Sequence, residues 1–246
     1  MATRVSRQPA VHGPAERWFY GTMAMALLLA VYFGFARSFF LRPWYPAAVG
    51  PVPPEPFFLW HGAIFAAWFV LFAVQAALVS ARRIDLHRRL GSIGAVLAVL
   101  VVVAGILGAV IAARRPGGFI GIPVPPAQFL VFPLIDMVLF AACVALGIRH
   151  RRDPQSHKRL MLLATIVMVG PAIARWPPVR EAGPLPLYFL INDLFLLPIV
   201  AWDLVTRGRL HPVTLWGGLL FAVSHPLRIL LAGTPAWAAL AQAMMR

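Results

Sequence analysis

The chain has few charged residues and very few acidic ones. Only 12% of its 246 residues are Asp, Glu, Lys or Arg, and only 8 are acidic, whereas a soluble globular domain carries about 25% charged residues. A chain with so little charge and 61% hydrophobic residues lacks the polar side chains to cover a water-soluble surface. The composition excludes an ordinary soluble domain and predicts several membrane spans of about 20 apolar residues each.

Cysteine is almost absent as well. Cys143 is the only one, which excludes an intrachain disulfide and a zinc site built from cysteine pairs. No Ser/His/Asp or Cys/His nucleophile pattern is visible, so the sequence leaves open whether the protein is an enzyme. The 22 Lys and Arg residues do not indicate nucleic acid binding, because they lie in short clusters between apolar runs and not on one soluble face.

The apolar runs predict an all-α bundle of seven membrane-spanning helices. Residues 1–17 are expected to form a cytoplasmic tail, 18–232 the seven-helix domain and 233–246 a short C-terminal segment. The basic clusters lie before span 1 and after spans 2, 4 and 6, and basic loops stay in the cytoplasm. The N-terminus is therefore predicted inside and the C-terminus outside. The expected spans are 18–41, 57–80, 91–113, 127–148, 160–176, 186–206 and 213–232.

Ionisable and polar side chains lie in the outer half of five predicted spans, where a bilayer makes them costly and usually functional. Asp136 or Asp193 is expected to pair with Arg175 or Arg228. One interpretation is a buried ion-pair network that fixes helix packing. The other is a site for a small ligand, a lipid headgroup or a metal. The candidate metal ligands are His61, Asp136, Asp193 and His225. The candidate ion-pair or ligand residues are Arg175, Arg228, Asn192 and Gln75.

Two further histidines open predicted spans on the cytoplasmic side. His87 and His157 each follow an acidic residue, precede two basic residues and a leucine, and so form a short repeat. One interpretation is interfacial charge, which is expected at the cytoplasmic end of any span. The other is that spans 2–3 and 4–5 are related hairpins.

Two resemblances follow from short motifs. The chain resembles an uncharacterised family of bacterial multi-pass membrane proteins, which implies a shared fold and a location in the bacterial cytoplasmic membrane, but no activity. The stretches that carry this resemblance are 59–62, Gln75, 87–91, 157–162 and 208–218.

A second and narrower pattern comprises His61, Gly62, Trp68, Ala81, Arg82, His87, Gly91 and Gly94. This pattern resembles that of the ascorbate-linked di-haem transmembrane cytochromes of b type, over about a third of the chain. It implies haem b, with His87 and His157 at the cytoplasmic ligand positions and His61 at an outer one. Span 4 departs from the pattern, because Phe132 and Asp136 stand where the family has its outer histidine.

Three functions remain open at the sequence level. The first is a membrane protein that binds haem b and carries electrons. The second is a binding or transport protein that uses the outer polar residues. The third is an accessory subunit of a membrane complex, with other membrane proteins as partners. All three place the protein in contact with the lipid bilayer.

Overall fold

The computed structural model describes residues 13–45, 56–119, 122, 124–176, 179 and 185–246, and all regular structure in these ranges is helical. Shorter helical turns lie at Ala36–Phe40, Arg42–Trp44, Pro126–Phe129 and Val213–Gly217. The main helices are α1 (Pro14–Phe35), α2 (Pro56–Ser80), α3 (Ile84–Arg114), α4 (Val131–Arg149), α5 (Pro154–Val167), α6 (Gly170–Ile173), α7 (Leu185–Leu194), α8 (Leu197–Arg207), α9 (Gly218–Ala232) and α10 (Pro235–Met245).

Six segments in the described ranges are long and apolar enough to cross a membrane. Large apolar side chains point outward from them, including Val99 on α3 and Leu230 on α9, which are both mostly exposed. Such a surface suits lipid and not water. The predicted all-α class and membrane class are therefore confirmed. The six segments are Pro14–Phe40, Pro56–Ser80, Ile84–Arg114, Pro126–Arg149, Tyr188–Arg207 and Val213–Ala232.

The predicted fifth span, 160–176, differs from the other six. It forms α5 of 14 residues and α6 of 4 residues, separated by a turn at Met168–Val169, so neither piece is long enough to count as a span alone. This segment is nevertheless the centre of the bundle: Leu162, Ile166 and Ile173 are fully buried. It packs against α1, α4, α7 and the turn before α9.

The predicted spans contain four interior prolines. Three of them follow a break in the helix, and the break begins three residues before the proline. A proline has no N–H to donate and its ring clashes with the carbonyl four residues earlier. Pro133, Pro171 and Pro198 each follow such a break, whereas Pro226 lies inside the continuous α9. The breaks lie at Leu130, at Met168–Val169 and at Phe195–Leu196.

Helix α1 runs beside α5 and α6 along nearly its whole length. At one end Glu16 forms an ion pair with Lys158. At the other end Gly34 packs against Ala172 so closely that a Cβ on Gly34 would lie 2.5 Å from the Ala172 carbonyl oxygen. Only glycine permits this approach of two backbones.

The predicted C-terminal segment is a separate helix that packs on the bundle. Thr234 caps α10, and its side-chain oxygen accepts a hydrogen bond from the Trp237 backbone N–H at 3.2 Å. The Trp237 indole donates to the Ala127 carbonyl at 2.8 Å, and Arg114 donates to the Met244 carbonyl at 2.9 Å. These contacts attach α10 to α3 and to the start of α4. Residues 1–12 of the predicted tail lie outside the described ranges.

Candidate functional site

The two histidines that open α3 and α5 face each other at the basic end of the bundle. His87 lies in the first turn of α3 and His157 in the first turn of α5. Their ring centroids are 6.2 Å apart and the ring planes are nearly perpendicular, at 89°. Both side chains are partly buried. The two rings are therefore neighbours at a partly enclosed position, and neither is as exposed as an ordinary interfacial residue.

Local structure at the start of α5 orients His157. The Asp153 carboxylate caps this helix by accepting hydrogen bonds from the Gln155 backbone N–H at 3.0 Å and from the Ser156 hydroxyl at 2.5 Å. His157 Nδ1 lies 2.8 Å from the Gly147 carbonyl oxygen at the end of α4. Because a carbonyl only accepts, Nδ1 is the donor in this contact, and in the neutral ring Nε2 is then the nitrogen with a lone pair.

The His87 ring is held by a hydrogen bond to the Gln75 backbone on α2. His87 Nδ1 is buried and has no hydrogen-bond partner among the residues that the structure describes. The Gln75 side-chain oxygen, on α2, is also buried and unpartnered there. Gln75 Nε2 would lie 3.9 Å from a Cβ on Gly91, one turn after His87. The vicinity of the pair thus contains polar atoms whose hydrogen-bonding capacity is unused.

A buried ion-pair network lies next to the histidine pair. The Arg159 guanidinium donates to both carboxylate oxygens of Asp203, and both side chains are almost fully inaccessible. Arg159 also donates to the backbone and side-chain oxygens of Gln155, at 2.9 and 2.7 Å. Gln155 in turn donates to Glu16, at 3.3 Å, which is paired with Lys158. The network joins α1, α5 and α8 at the same end of the bundle.

The sequence reasoning missed the acidic members of this network. Asp203 is an acidic residue near the basic end of a predicted span, and Glu16 is an acidic residue in a basic tail. An unpaired carboxylate is costly in either place, so each position indicated a buried cation nearby. Arg159 and Lys158 supply those cations. In the sequence both lie in a basic cluster next to a predicted span, where interfacial charge is expected.

Two groups outside the spans have shifted pKa values at this end. The hydrogen bond from Ser156 lowers the pKa of Asp153. Burial lowers the pKa of His211, and the nearby positive charges of Arg159 and Arg207 add to this effect. The His211 backbone N–H donates to Asp203 at 3.0 Å. His211 therefore favours the neutral form next to the paired Arg159.

The predicted outer residues form two neighbouring contacts on α9. Arg228 Nη1 donates to Asp136 of α4 at 2.6 Å, and Nη2 donates to the Ser224 hydroxyl at 3.1 Å. His225 Nδ1 lies 3.3 Å from an Asp193 carboxylate oxygen of α7, but the two atoms are not aligned for a hydrogen bond. The arrangement brings α4, α7 and α9 together.

Several polar atoms in this outer region are buried without a hydrogen-bond partner among the described residues. Phe189 stacks on His225 with ring centroids 4.4 Å apart, and a Cβ on Gly170 would lie 2.2 Å from the Tyr188 hydroxyl. The region is therefore tightly packed. The unpartnered atoms are Asn192 Oδ1, Asp193 Oδ1, both ring nitrogens of His225 and Arg228 Nε.

His61 and Arg175 make separate contacts. His61 Nδ1 lies 3.1 Å from the Ala104 carbonyl oxygen on α3, and Phe65 stacks on its ring at 4.3 Å. Ala104 is 17 residues after His87 on α3, which is roughly 26 Å along a helix. Arg175 donates to the Pro171 carbonyl at 2.6 Å and lies over the Phe35 ring. His61 is thus far from the His87–His157 pair.

The structure does not gather the predicted metal ligands into one site. Among the described residues, no three His, Cys, Asp or Glu side chains lie together as a metal-binding group. Asp136 is paired with Arg228, Asp193 and His225 touch each other, and His61 contacts α3. A buried carboxylate needs a positive charge nearby, and Arg228 supplies that charge to Asp136 in place of a metal ion.

Comparison with known proteins identifies no relative: no family model matches the chain, and no curated protein or solved structure matches it.

Proposed function

We propose that the protein is a membrane protein that binds one haem b and carries electrons, and that His87 and His157 would hold the haem. The observation that carries this proposal is the facing pair of imidazoles, 6.2 Å apart between ring centroids, supplied by two different helices. Two metal–nitrogen bonds of about 2.0 Å each place facing imidazole centres roughly 6 Å apart. The observed separation suits an ion between the rings.

The tautomer of His157 supports the same reading. Its Nδ1–H donates to the Gly147 carbonyl, so Nε2 is the nitrogen with a free lone pair. Histidines that ligate metals commonly donate their other ring N–H to a carbonyl or carboxylate, which fixes the ring and raises its basicity. The His87 ring hydrogen-bonds to the Gln75 backbone, and its Nδ1 is buried and unpartnered within the described ranges, so Nδ1 is the nitrogen left to bind a metal.

The neighbouring charges divide into two groups. Arg159 and Lys158 are held by Asp203 and Glu16 and fix α5 in place. Arg88 and Arg89, which follow His87, are exposed and are the basic side chains that we assign to the propionates of a haem. When bound, haem b would supply a one-electron redox couple whose potential depends on axial ligands, burial and nearby charge.

The experiment is an absorption spectrum of the full-length protein purified from haem-replete cells. We expect a Soret band at a stoichiometry of about one haem per chain, lost in His87→Ala and in His157→Ala. His150→Ala is the matched control, because His150 is an exposed histidine in the loop before α5, and it should keep the band. A colourless protein, or equal loss of haem from all three variants, refutes the proposal.

Seven crossings, with the N-terminus inside a bacterial cytoplasmic membrane, are part of the proposal. The support for the additional crossing is the path of α5 and α6 beside α1. Their contacts extend from Glu16 to Gly34, a distance of roughly 27 Å along a helix, which is close to the hydrocarbon thickness of about 30 Å. Labelling of single cysteines placed at Arg151 and at Arg246 tests it, because they should react from opposite sides of the membrane.

A second candidate function is recognition of a small polar ligand in the outer half. It is favoured by the buried unpartnered atoms of Asn192, Asp193 and His225 beside the Asp136–Arg228 pair. Mass spectrometry of the small molecules that copurify with the parent and with Asp193→Asn tests it. If nothing copurifies with the parent, or if both proteins carry the same molecules, these residues do not form a ligand site.

A further inference from the structure

A groove of about 610 Å³ runs along the outside of α1 near the basic end of the bundle. Arg17 and Trp18 line it at the start of α1, Met25 and Leu29 line it further along, and Ser80 at the end of α2 closes one side. Trp18 is 76% exposed, and Met25 and Leu29 are about half exposed. The groove therefore opens towards the surroundings of the bundle and not into its core.

The polarity of the groove changes along its length. Its basic end carries the Arg17 guanidinium, the Thr22 hydroxyl and the Ser80 hydroxyl, which donates to the Arg17 carbonyl at 3.4 Å. Beyond Thr22 the lining is apolar. Gly21 keeps the floor open, because it has no side chain where it passes Ser80. A charged head and an apolar tail fit such a gradient.

The length of the groove matches one membrane leaflet. Arg17, Gly21, Met25 and Leu29 recur every four residues and so lie on one face of α1. The 12 residues from Arg17 to Leu29 correspond to roughly 18 Å of helix. Half of a hydrocarbon core of about 30 Å is roughly 15 Å. The groove therefore reaches from the headgroup level to the middle of the bilayer.

The positive charge at the basic end of the groove favours an anionic headgroup. Arg17 lies in the first turn of α1, where its guanidinium and the positive end of the helix dipole both favour a bound anion. Arg82, just after Ser80, is exposed at the same end and adds positive charge. Trp18 is the kind of side chain that lies at the membrane interface. We propose that the groove binds one anionic phospholipid, with its phosphate on Arg17 and an acyl chain along Met25 and Leu29.

The test is native mass spectrometry of the full-length protein, delipidated in detergent and titrated with phosphatidylglycerol or with phosphatidylcholine. We expect one tightly bound phosphatidylglycerol and weaker binding of phosphatidylcholine. Arg17→Gln should weaken phosphatidylglycerol about fivefold, the value of one basic residue near a membrane surface. Arg209→Gln removes an exposed arginine elsewhere and should leave the affinity unchanged.

A second variant tests the acyl-chain part independently. Ala26 is an exposed lining residue, so Ala26→Trp fills the groove without entering the core and should weaken both lipids. Leu230→Trp, at an exposed position on α9, is its control and should not. Glycerol phosphate, which has no chains, should not displace the lipid. Equal retention of the two lipids by the parent protein, or parental affinity in Ala26→Trp, overturns the proposal.

Discussion

The buried pair of Arg159 and Asp203 allows a quantitative prediction. Both side chains are almost fully inaccessible, and the guanidinium donates to both carboxylate oxygens. In Asp203→Ala, Gln155 would be the remaining partner of the Arg159 guanidinium within the described ranges. The His211 backbone N–H would also lose its acceptor. Removing one member of a buried pair costs about 3–5 kcal/mol.

The measurement is thermal unfolding in detergent, followed by loss of monodisperse protein. At roughly 2–4 °C per kcal/mol for a chain of this size, we expect Asp203→Ala to lower the midpoint by about 10 °C. Asp85→Ala is the matched control, because its pair with Arg83 spans 3.7 Å and both side chains are about 60% exposed. Such an exposed pair is worth about 0–1 kcal/mol.

The double variant Arg159→Met/Asp203→Leu distinguishes the cost of an unpaired buried charge from the cost of removing the Asp203 side chain. Replacing both charges with apolar groups removes the unpaired charge, so this variant should be more stable than Asp203→Ala. If Asp203→Ala unfolds at the same temperature as Asp85→Ala, or if the double variant is the least stable of all, the pair does not hold α5 to α8 as described.

Two further predictions concern packing and capping. Gly34→Leu should lower the stability by about 1–3 kcal/mol in the same unfolding assay, because its Cβ would meet the Ala172 carbonyl at 2.5 Å; Gly218→Ala, whose Cβ has room, should have little effect. Asp153→Ala should cost about 1 kcal/mol by removing the cap of α5. Since the pKa of Asp153 is lowered in the folded protein, its contribution is present above its usual pKa and should be lost as the pH falls through the folded value.

Much of the fold was predictable because a helix that crosses lipid needs a long apolar sequence. Long apolar runs and basic clusters mark helices without any knowledge of tertiary contacts. The segment 160–176 was harder. It is as apolar as the others, but Pro171 interrupts it, and most of its side chains are buried against other helices. Hydropathy alone does not distinguish a helix that faces lipid from one enclosed by other helices.

The candidate site was predictable by residue type but not by orientation. His87 and His157 stood out as a repeated motif, yet basic neighbours made an outward direction equally reasonable. The orientation of His157 depends on the Gly147 carbonyl and that of His87 on the Gln75 backbone, each on a different helix, and local sequence carries no information about these contacts. The pairing of Arg159 with Asp203 joins residues 44 positions apart, so spacing along one helix did not reveal it.

The central claim is that imidazoles from α3 and α5 together hold one haem iron. Electron paramagnetic resonance of the oxidised, full-length protein tests it most directly, because the signal reports both the ligands and the angle between their planes. With ring planes at 89°, the predicted result is a low-spin ferric signal of the highly anisotropic type, absent from His157→Ala. A high-spin signal, or no haem signal from protein made in haem-replete cells, would contradict the claim.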